Sequence, residues 1–167
     1  MVIIIVAALA LAWGITTFIA CPYTIPSGSM EDTLQINDKV ISEEISYHFN
    51  DPKVGDIVTF NPPSDPERTY IKRVIAVGGQ TVTLKDGYVY VDGVQLNEPY
   101  TGGKPSLPLD GSTITFPYTV PEGYIWVMGD NRTNSSDSRA FGAVPLSAVN
   151  GHAVWRYWPV ARFGALE

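Results

Sequence analysis

Hydrophobic positions follow two regimes along this chain. One unbroken block opens it, and from residue 36 onward short apolar runs alternate with Gly, Pro and Asp. The block, residues 2–20 (VIIIVAALALAWGITTFIA), holds nineteen residues without a charge. A helix of about 20 such residues crosses the hydrocarbon core of a bilayer, and backbone groups in lipid must pair within their own segment. The block therefore reads as a transmembrane anchor over residues 1–21. A cleaved secretory signal would carry a basic leading region, and nothing basic precedes this run; a buried core helix is the third reading. FIAC before Pro22 faintly resembles a lipoprotein box with Phe18 a poor fit, and the plainer reading of Cys21 is a small apolar residue at the interface. No Lys or Arg flanks the block closely, so its sidedness does not follow from charge.

The later runs have the period and composition of strands. DKVISEEI, GDIVTF, TYIKRVIAV, TVTLKDGYVYVDGVQL, YIWVMGD and HAVWRYW are rich in Val, Ile, Tyr and Trp. The Asp-Gly pairs at 86–87 and 92–93 predict tight hairpins between such runs. Residues 99–123 are dense in Pro and Gly and read as a surface insertion with one short strand around Ile114. No helical period follows residue 21. The expected fold is mainly β, an antiparallel domain over residues 22–167 behind one N-terminal transmembrane helix.

Composition narrows the function. At 167 residues the chain holds one compact domain plus an appended segment. Eleven basic against seventeen acidic residues give a net charge of -6, and the basic residues are scattered, so nucleic acid is a poor partner. A single cysteine and two histidines far apart, His48 and His152, make a metal site improbable, and nothing in the pattern calls for a cofactor.

Three short stretches carry candidate chemistry. In PSGSM, Ser27 and Ser29 flank Gly28, which lets the backbone turn tightly and approach a bound group, although Pro, Ser and Gly together also make an ordinary turn. In YIKRVIAV, Lys72 sits among apolar neighbours. Burial lowers a lysine's pKa, and a neutral amine near pH 7 can act as a general base. The competing reading leaves Lys72 and Arg73 solvated on an edge strand; they point to opposite faces, and both faces are apolar, so alternation does not choose between them. GDNRTNSSDSRAFG, residues 129–142, places two Asp and two Arg within ten residues, the mark of a loop tied by charged hydrogen bonds.

Taken together and in this order, PSGSM, YIKRVIAVGG and GDNRTNSSDSR behind an apolar anchor resemble the boxes of bacterial type I signal peptidases. The resemblance implies a membrane-anchored serine endopeptidase that removes signal peptides from exported preproteins after small residues, at Ala-x-Ala sites. Residue by residue, it implies Ser29 as nucleophile and Lys72 as general base, with the Ser29 N–H and the Ser27 hydroxyl as oxyanion donors. Ser135 matches the serine that orients the lysine, and Asp130, Arg132, Asp137 and Arg139 resemble the supporting charge network. Ile25, Met30, Leu34, Tyr70 and Ile71 match positions that line shallow substrate pockets, with core packing an equally fair reading. Asp32 stands where many members have proline, which predicts a looser turn after Ser29, and Thr133 replaces a frequent Asp. The short insertion suggests a minimal second β-subdomain.

The implied partners are the signal peptides of preproteins and the lipid bilayer. The implied place is the cell membrane, single-pass, with the catalytic domain on the extracytoplasmic side. Trp155, Tyr157 and Trp158, beside Phe163, would seat that domain on the headgroup layer, or else fill the core. A self-cleaving repressor-type protease shares the serine-lysine pair but lacks a span. A histidine-type signal peptidase conflicts with Lys72, and a non-catalytic tethered β-domain would have no need of all four polar groups.

Overall fold

The β-branched and aromatic runs of the sequence become strands. The structure, a computed structural model, describes Ile4, Val6 and residues 20–166. Among these residues the strands are β1 (Ala20–Thr24), β2 (Lys39–Glu43), β3 (Ile57–Phe60), β4 (Tyr70–Val77), β5 (Thr81–Lys85), β6 (Tyr88–Val91), β7 (Val94–Gln95), β8 (Tyr118–Thr119), β9 (Tyr124–Met128), β10 (Val144–Pro145), β11 (Val149–Trp158) and β12 (Gly164–Ala165). A large sheet runs β1-β2-β11-β3-β4-β9-β10 with β12 added to β11, and a small one runs β7-β6-β5-β8. Every pairing is antiparallel, as expected for a mainly β chain.

Both Asp-Gly signals make hairpins. Asp86 and Gly87 have φ of 53° and 83°, Asp92 and Gly93 of 52° and 80°. Two successive residues at positive φ match the right-handed twist of the flanking strands, which is why the turns fall between β5 and β6 and between β6 and β7.

Most of the expected anchor, residues 1–19 apart from Ile4 and Val6, lies outside the described residues. Its last two positions belong to the sheet instead: Ala20 and Cys21 open β1, opposite Glu43 and Ser42 of β2. Cys21 Sγ donates to Glu44 Oε1 at 3.2 Å. Among the described residues no helix is long and apolar enough to cross a membrane. Two one-turn helices, Ser46–Phe49 and Ser138–Phe141, are too short to leave a helical period in the sequence.

The strand expected around Ile114 forms four residues later, as β8, against Thr81 and Val82. The Ile114 N–H is satisfied by Ser112 Oγ at 3.1 Å, and that hydroxyl donates to Arg139 O at 2.6 Å, so the backbone there is held by a side chain and not by a ladder. Nor does the 99–123 segment lie wholly on the surface. Thr101, Ser106 and Val120 are buried, and Ile114, Phe116 and Tyr118 pack on the cluster of Ile75, Val82, Val89, Trp126 and Met128 that joins the two sheets. A second cluster, Ile25, Met30, Leu34, Val40, Ile57, Ile71 and Ala153, underlies the PSGSM turn. A third, Val58, Phe60, Val74, Ile125, Val127 and Val144, fills the middle of the large sheet.

The aromatic C-terminal strand does not fill the core. Trp158 is 52% exposed and Phe163 63%, and Trp155 and Phe163 face each other with ring centroids 5.5 Å apart.

Candidate active site

Three chain segments converge on Ser29. Gly28–Met30 makes a single 3-10 turn directly after the extended residues that follow β1, closed by Glu31 N–H to Gly28 O at 3.2 Å and Leu34 N–H to Met30 O at 2.7 Å. Met30 and Leu34 are fully buried and anchor this turn from below. Strand β4 then carries Lys72 past it, held between β3 and β9. The 129–137 loop leaves β9 and crosses the same turn, with Asn131 N–H donating to Ser29 O at 3.1 Å.

Lys72 Nζ donates to Ser29 Oγ at 2.8 Å and to Ile71 O at 2.9 Å. Ser29 is 7% exposed and Lys72 4%. Removal of water from the ammonium pulls the Lys72 pKa from 10.5 down to about 8, against the opposing pull of the Asp137 and Asp130 carboxylates. Ser27 is exposed at the mouth of the site, and its hydroxyl reaches Ser29 Oγ at 3.4 Å. Ser29 and Lys72, 43 residues apart in sequence, are thus in hydrogen-bond contact, and the amine is tuned toward neutrality. Such a pair can deprotonate a hydroxyl and deliver it to an electrophile.

Arg73, the neighbour of Lys72, is also buried, so the alternation puzzle resolves with both residues inside. Arg73 makes a two-pronged contact with Asp130, at 2.9 and 2.8 Å, and donates to Gly55 O at 3.0 Å. Asp130 also accepts from Thr33 Oγ1 at 2.6 Å. Asp137 and Arg139 form a second buried pair at 2.9 Å, and Asp137 accepts the Gly129 N–H at 3.0 Å and caps the Ser138–Phe141 helix. Arg132 is held by Glu98 at 2.6 and 3.0 Å and reaches Gly129 O at 2.9 Å. The Tyr100 ring lies 4.0 Å from the Arg73 guanidinium and 5.9 Å from that of Arg132. Sequence reasoning placed Asp130, Arg132, Asp137 and Arg139 in this network and missed Arg73, Glu98 and Tyr100. Glu98 and Tyr100, an acid and an aromatic on either side of Pro99 where the Pro/Gly-rich segment begins, were the available signal.

Ser135 lies beside the site, and its Oγ is buried without a hydrogen-bond partner among the described residues. It sits against Gly129, where a Cβ would collide with both Ser135 Oγ and the Ser29 carbonyl. The structure does not join it to Lys72 by a hydrogen bond.

A cleft of about 540 Å³ opens over the pair, lined by Pro26, Ser27, Gly28, Ser29, Arg68 and Thr69, by Tyr70, Ile71 and Lys72 of β4, and by Asn134 and Ser136 of the loop. A side pocket of about 30 Å³ adjoins it, between Ile25, Tyr70 and Ile71. Of the residues expected to line substrate pockets, Ile25, Tyr70 and Ile71 border the cleft or its side pocket. Met30 and Leu34 belong to the core beneath. Asp32, expected to loosen the turn, is bridged to Lys104 at 2.6 Å, so the turn is braced across to the insertion. Thr133 is exposed and takes no part in the charge pairs. Among the described residues no group of His, Cys, Asp or Glu is arranged to hold a metal ion.

Comparison with known proteins places this arrangement among relatives. The profile of the family described as signal peptidase, peptidase S26, matches residues 1–158. The probable signal peptidase I-1 of Synechocystis sp. is 42% identical over 98% of this chain and 84% of its own length. The signal peptidase I of Leptolyngbya laminosa is 44% identical over 95% of this chain and 79% of its own. A crystal structure of a signal peptidase I from Enterococcus faecalis superposes with a TM-score of 0.54 at 34% identity, covering 62% of this chain and 97% of that one.

Proposed function

Because the chain belongs to the signal peptidase family, peptidase S26, and is a serine endopeptidase of that kind, we propose that it removes signal peptides from exported preproteins with Ser29 as nucleophile and Lys72 as general base. The contact of 2.8 Å between Lys72 Nζ and Ser29 Oγ, at the floor of an open cleft with Tyr70 and Ile71 of β4 beside it, carries this reading.

The neutral amine of Lys72 takes the Ser29 proton as Oγ attacks the scissile carbonyl, and returns it to the departing amine when the peptide bond breaks. The same amine then draws a proton from water as that water attacks the acyl-enzyme, and hands it to Ser29 Oγ as the ester bond breaks, which releases the new carboxyl terminus and restores both groups. The Ser29 N–H and the Ser27 hydroxyl stabilise the oxyanion in both steps. Ser135 Oγ, buried within the loop and without a partner among the described residues, is available to steady the lysine when substrate fills the cleft. Asp130, Arg132, Asp137 and Arg139 hold the loop that shapes the site.

Cleavage after small residues fits the dimensions. A side pocket of about 30 Å³ between Ile25, Tyr70 and Ile71 has room for little more than a methyl group or one water molecule. The exposed Trp155, Trp158 and Phe163 suit a headgroup layer, which accords with an enzyme anchored by the apolar residues that precede β1, single-pass, its catalytic domain on the extracytoplasmic side of the cell membrane.

The test is cleavage of a precursor with an Ala-x-Ala site by detergent-solubilised enzyme. Wild type cuts it, and Ser29→Ala and Lys72→Ala do not; activity that survives either substitution would remove the proposed pair, and none in wild type would remove the proposed substrate.

A further inference from the structure

Asn131 is 6% exposed and touches the nucleophile turn at two consecutive peptide units. Its backbone N–H donates to Ser29 O at 3.1 Å. Its side-chain Nδ2 donates to Gly28 O at 2.9 Å and lies 3.4 Å from Glu31 Oε2. The amide is oriented in turn by Thr133 Oγ1, which reaches Asn131 Oδ1 at 3.4 Å, and the Asn131 carbonyl accepts from Asn134 N–H at 2.9 Å.

Gly28 O and Ser29 N belong to one peptide plane. In a trans peptide the C=O and the N–H point in opposite directions, so whatever fixes Gly28 O also fixes the aim of the Ser29 N–H. Gly28 has no side chain to hold that plane, and its φ and ψ are soft; packing against the Glu31 carboxylate limits one side of it. A hydrogen bond accepted by the carbonyl also polarises the unit and strengthens its N–H as a donor.

We propose that Asn131 is a positioning residue for the oxyanion site: its side-chain amide pins the Gly28–Ser29 peptide so that the Ser29 N–H is aimed at the carbonyl oxygen of the scissile bond. The assignment rests on the function proposed above. It gives the 129–137 loop two separate duties: the Asp130–Arg73 pair holds the loop to β4 while Asp137, paired with Arg139 and accepting the Gly129 N–H, closes the loop on itself, and the Asn131 amide carries that placement to the Gly28 carbonyl, which also accepts the Glu31 N–H of its own turn at 3.2 Å. The benefit falls on the transition state, where the oxygen becomes negative, and not on the bound ground state.

The experiment compares wild type with Asn131→Ala, which deletes the amide, and Asn131→Asp, which keeps its shape but not its donor. Steady-state rates on a soluble Ala-x-Ala peptide are measured across pH, together with inhibition by a peptide aldehyde that forms a tetrahedral adduct. A misaimed oxyanion donor lowers kcat by roughly 10²-fold in both variants. KM stays within about twofold, the pH midpoint set by Lys72 is unmoved, and the aldehyde loses affinity in parallel with kcat/KM. Wild-type kcat in either variant overturns the assignment. So does a joint change of KM, kcat and pH midpoint, or failure of both variants to fold, since each marks a merely structural residue. Ser29→Ala is assayed alongside: cleavage by it, or none by wild type, rejects the serine-lysine reading itself, a result distinct from an intact enzyme that ignores Asn131.

Discussion

Lys72 sets the chemical and the thermodynamic behaviour of the site at once. With its pKa near 8, the amine is mostly protonated at pH 6 and mostly neutral at pH 9. The rate on a soluble peptide is therefore expected to rise with pH and level off above about 8; a flat profile from pH 6 to 9 would mean that Lys72 is not the base. The same shift has a cost in stability. Below pH 8 the folded and unfolded states both carry the proton, and holding it in the buried site costs about 3 kcal/mol. Between pH 8 and 10.5 the folded state has released it while the unfolded state retains it, so stability rises with pH, and above 10.5 the penalty is gone. Lys72→Met is expected to be inactive yet more stable at pH 7 by roughly 1–3 kcal/mol in urea titration, an advantage that shrinks toward pH 10.5. Lys72 was recognisable in the sequence as a lysine among apolar neighbours. That Arg73 beside it is buried too was not, because its partner, Asp130, comes 57 residues later.

At the scale of elements, the 129–137 loop and the 98–107 segment act together. Glu98 reaches over Arg132, Tyr100 packs on Arg73, and Lys104 bridges to Asp32 in the turn after Ser29. Glu98→Ala leaves the Arg132 guanidinium buried with one charged partner removed, and such an uncompensated charge costs about 3–5 kcal/mol, readable as a lower urea midpoint. An unchanged midpoint would mean that the insertion merely lies on the loop. Gly129→Ala tests the close approach of the loop to Ser29. Its Cβ would collide with the Ser29 carbonyl and Ser135 Oγ, so the strand end must shift and peptide cleavage should fall by more than about tenfold; near-normal cleavage would show that the loop yields without disturbing Ser29. The hairpins at 86–87 and 92–93 were legible because Asp-Gly dictates its own backbone geometry. The strand at Tyr118–Thr119 was misplaced by four residues, because Ser112 captures the Ile114 backbone, a contact that depends on where Arg139 lies.

The whole molecule presents chemistry and apolar surface from one large sheet. Trp155, Trp158 and Phe163 stay outside the three buried clusters and together expose an aromatic surface at the C-terminal end of β11. If that surface meets a headgroup layer, the double variant Trp158→Ser, Phe163→Ser is expected to cleave a soluble peptide at the wild-type rate and a vesicle-reconstituted precursor several-fold more slowly, each exposed aromatic contributing about 1–2 kcal/mol of apolar transfer. Equal losses on both substrates would point to a packing role instead.

By itself the sequence determined what local chemistry can dictate. Alternating Val, Ile, Tyr and Trp determined a mainly antiparallel β fold, Asp-Gly determined two hairpins, and the three boxes in order determined the family. The tertiary structure alone decided which polar residues meet. It put Lys72 Nζ on Ser29 Oγ across 43 residues, set Asn131 on the peptide before Ser29, and made Glu98, with Tyr100 of the Pro/Gly-rich insertion that follows it, a brace for the 129–137 loop. It also separated Ile25, Tyr70 and Ile71, which line pockets, from Met30 and Leu34, which do not. The reason is physical: periodicity records which side of an element is apolar, whereas a hydrogen bond of 2.8 Å depends on where two elements pack, and that is set by the core between them.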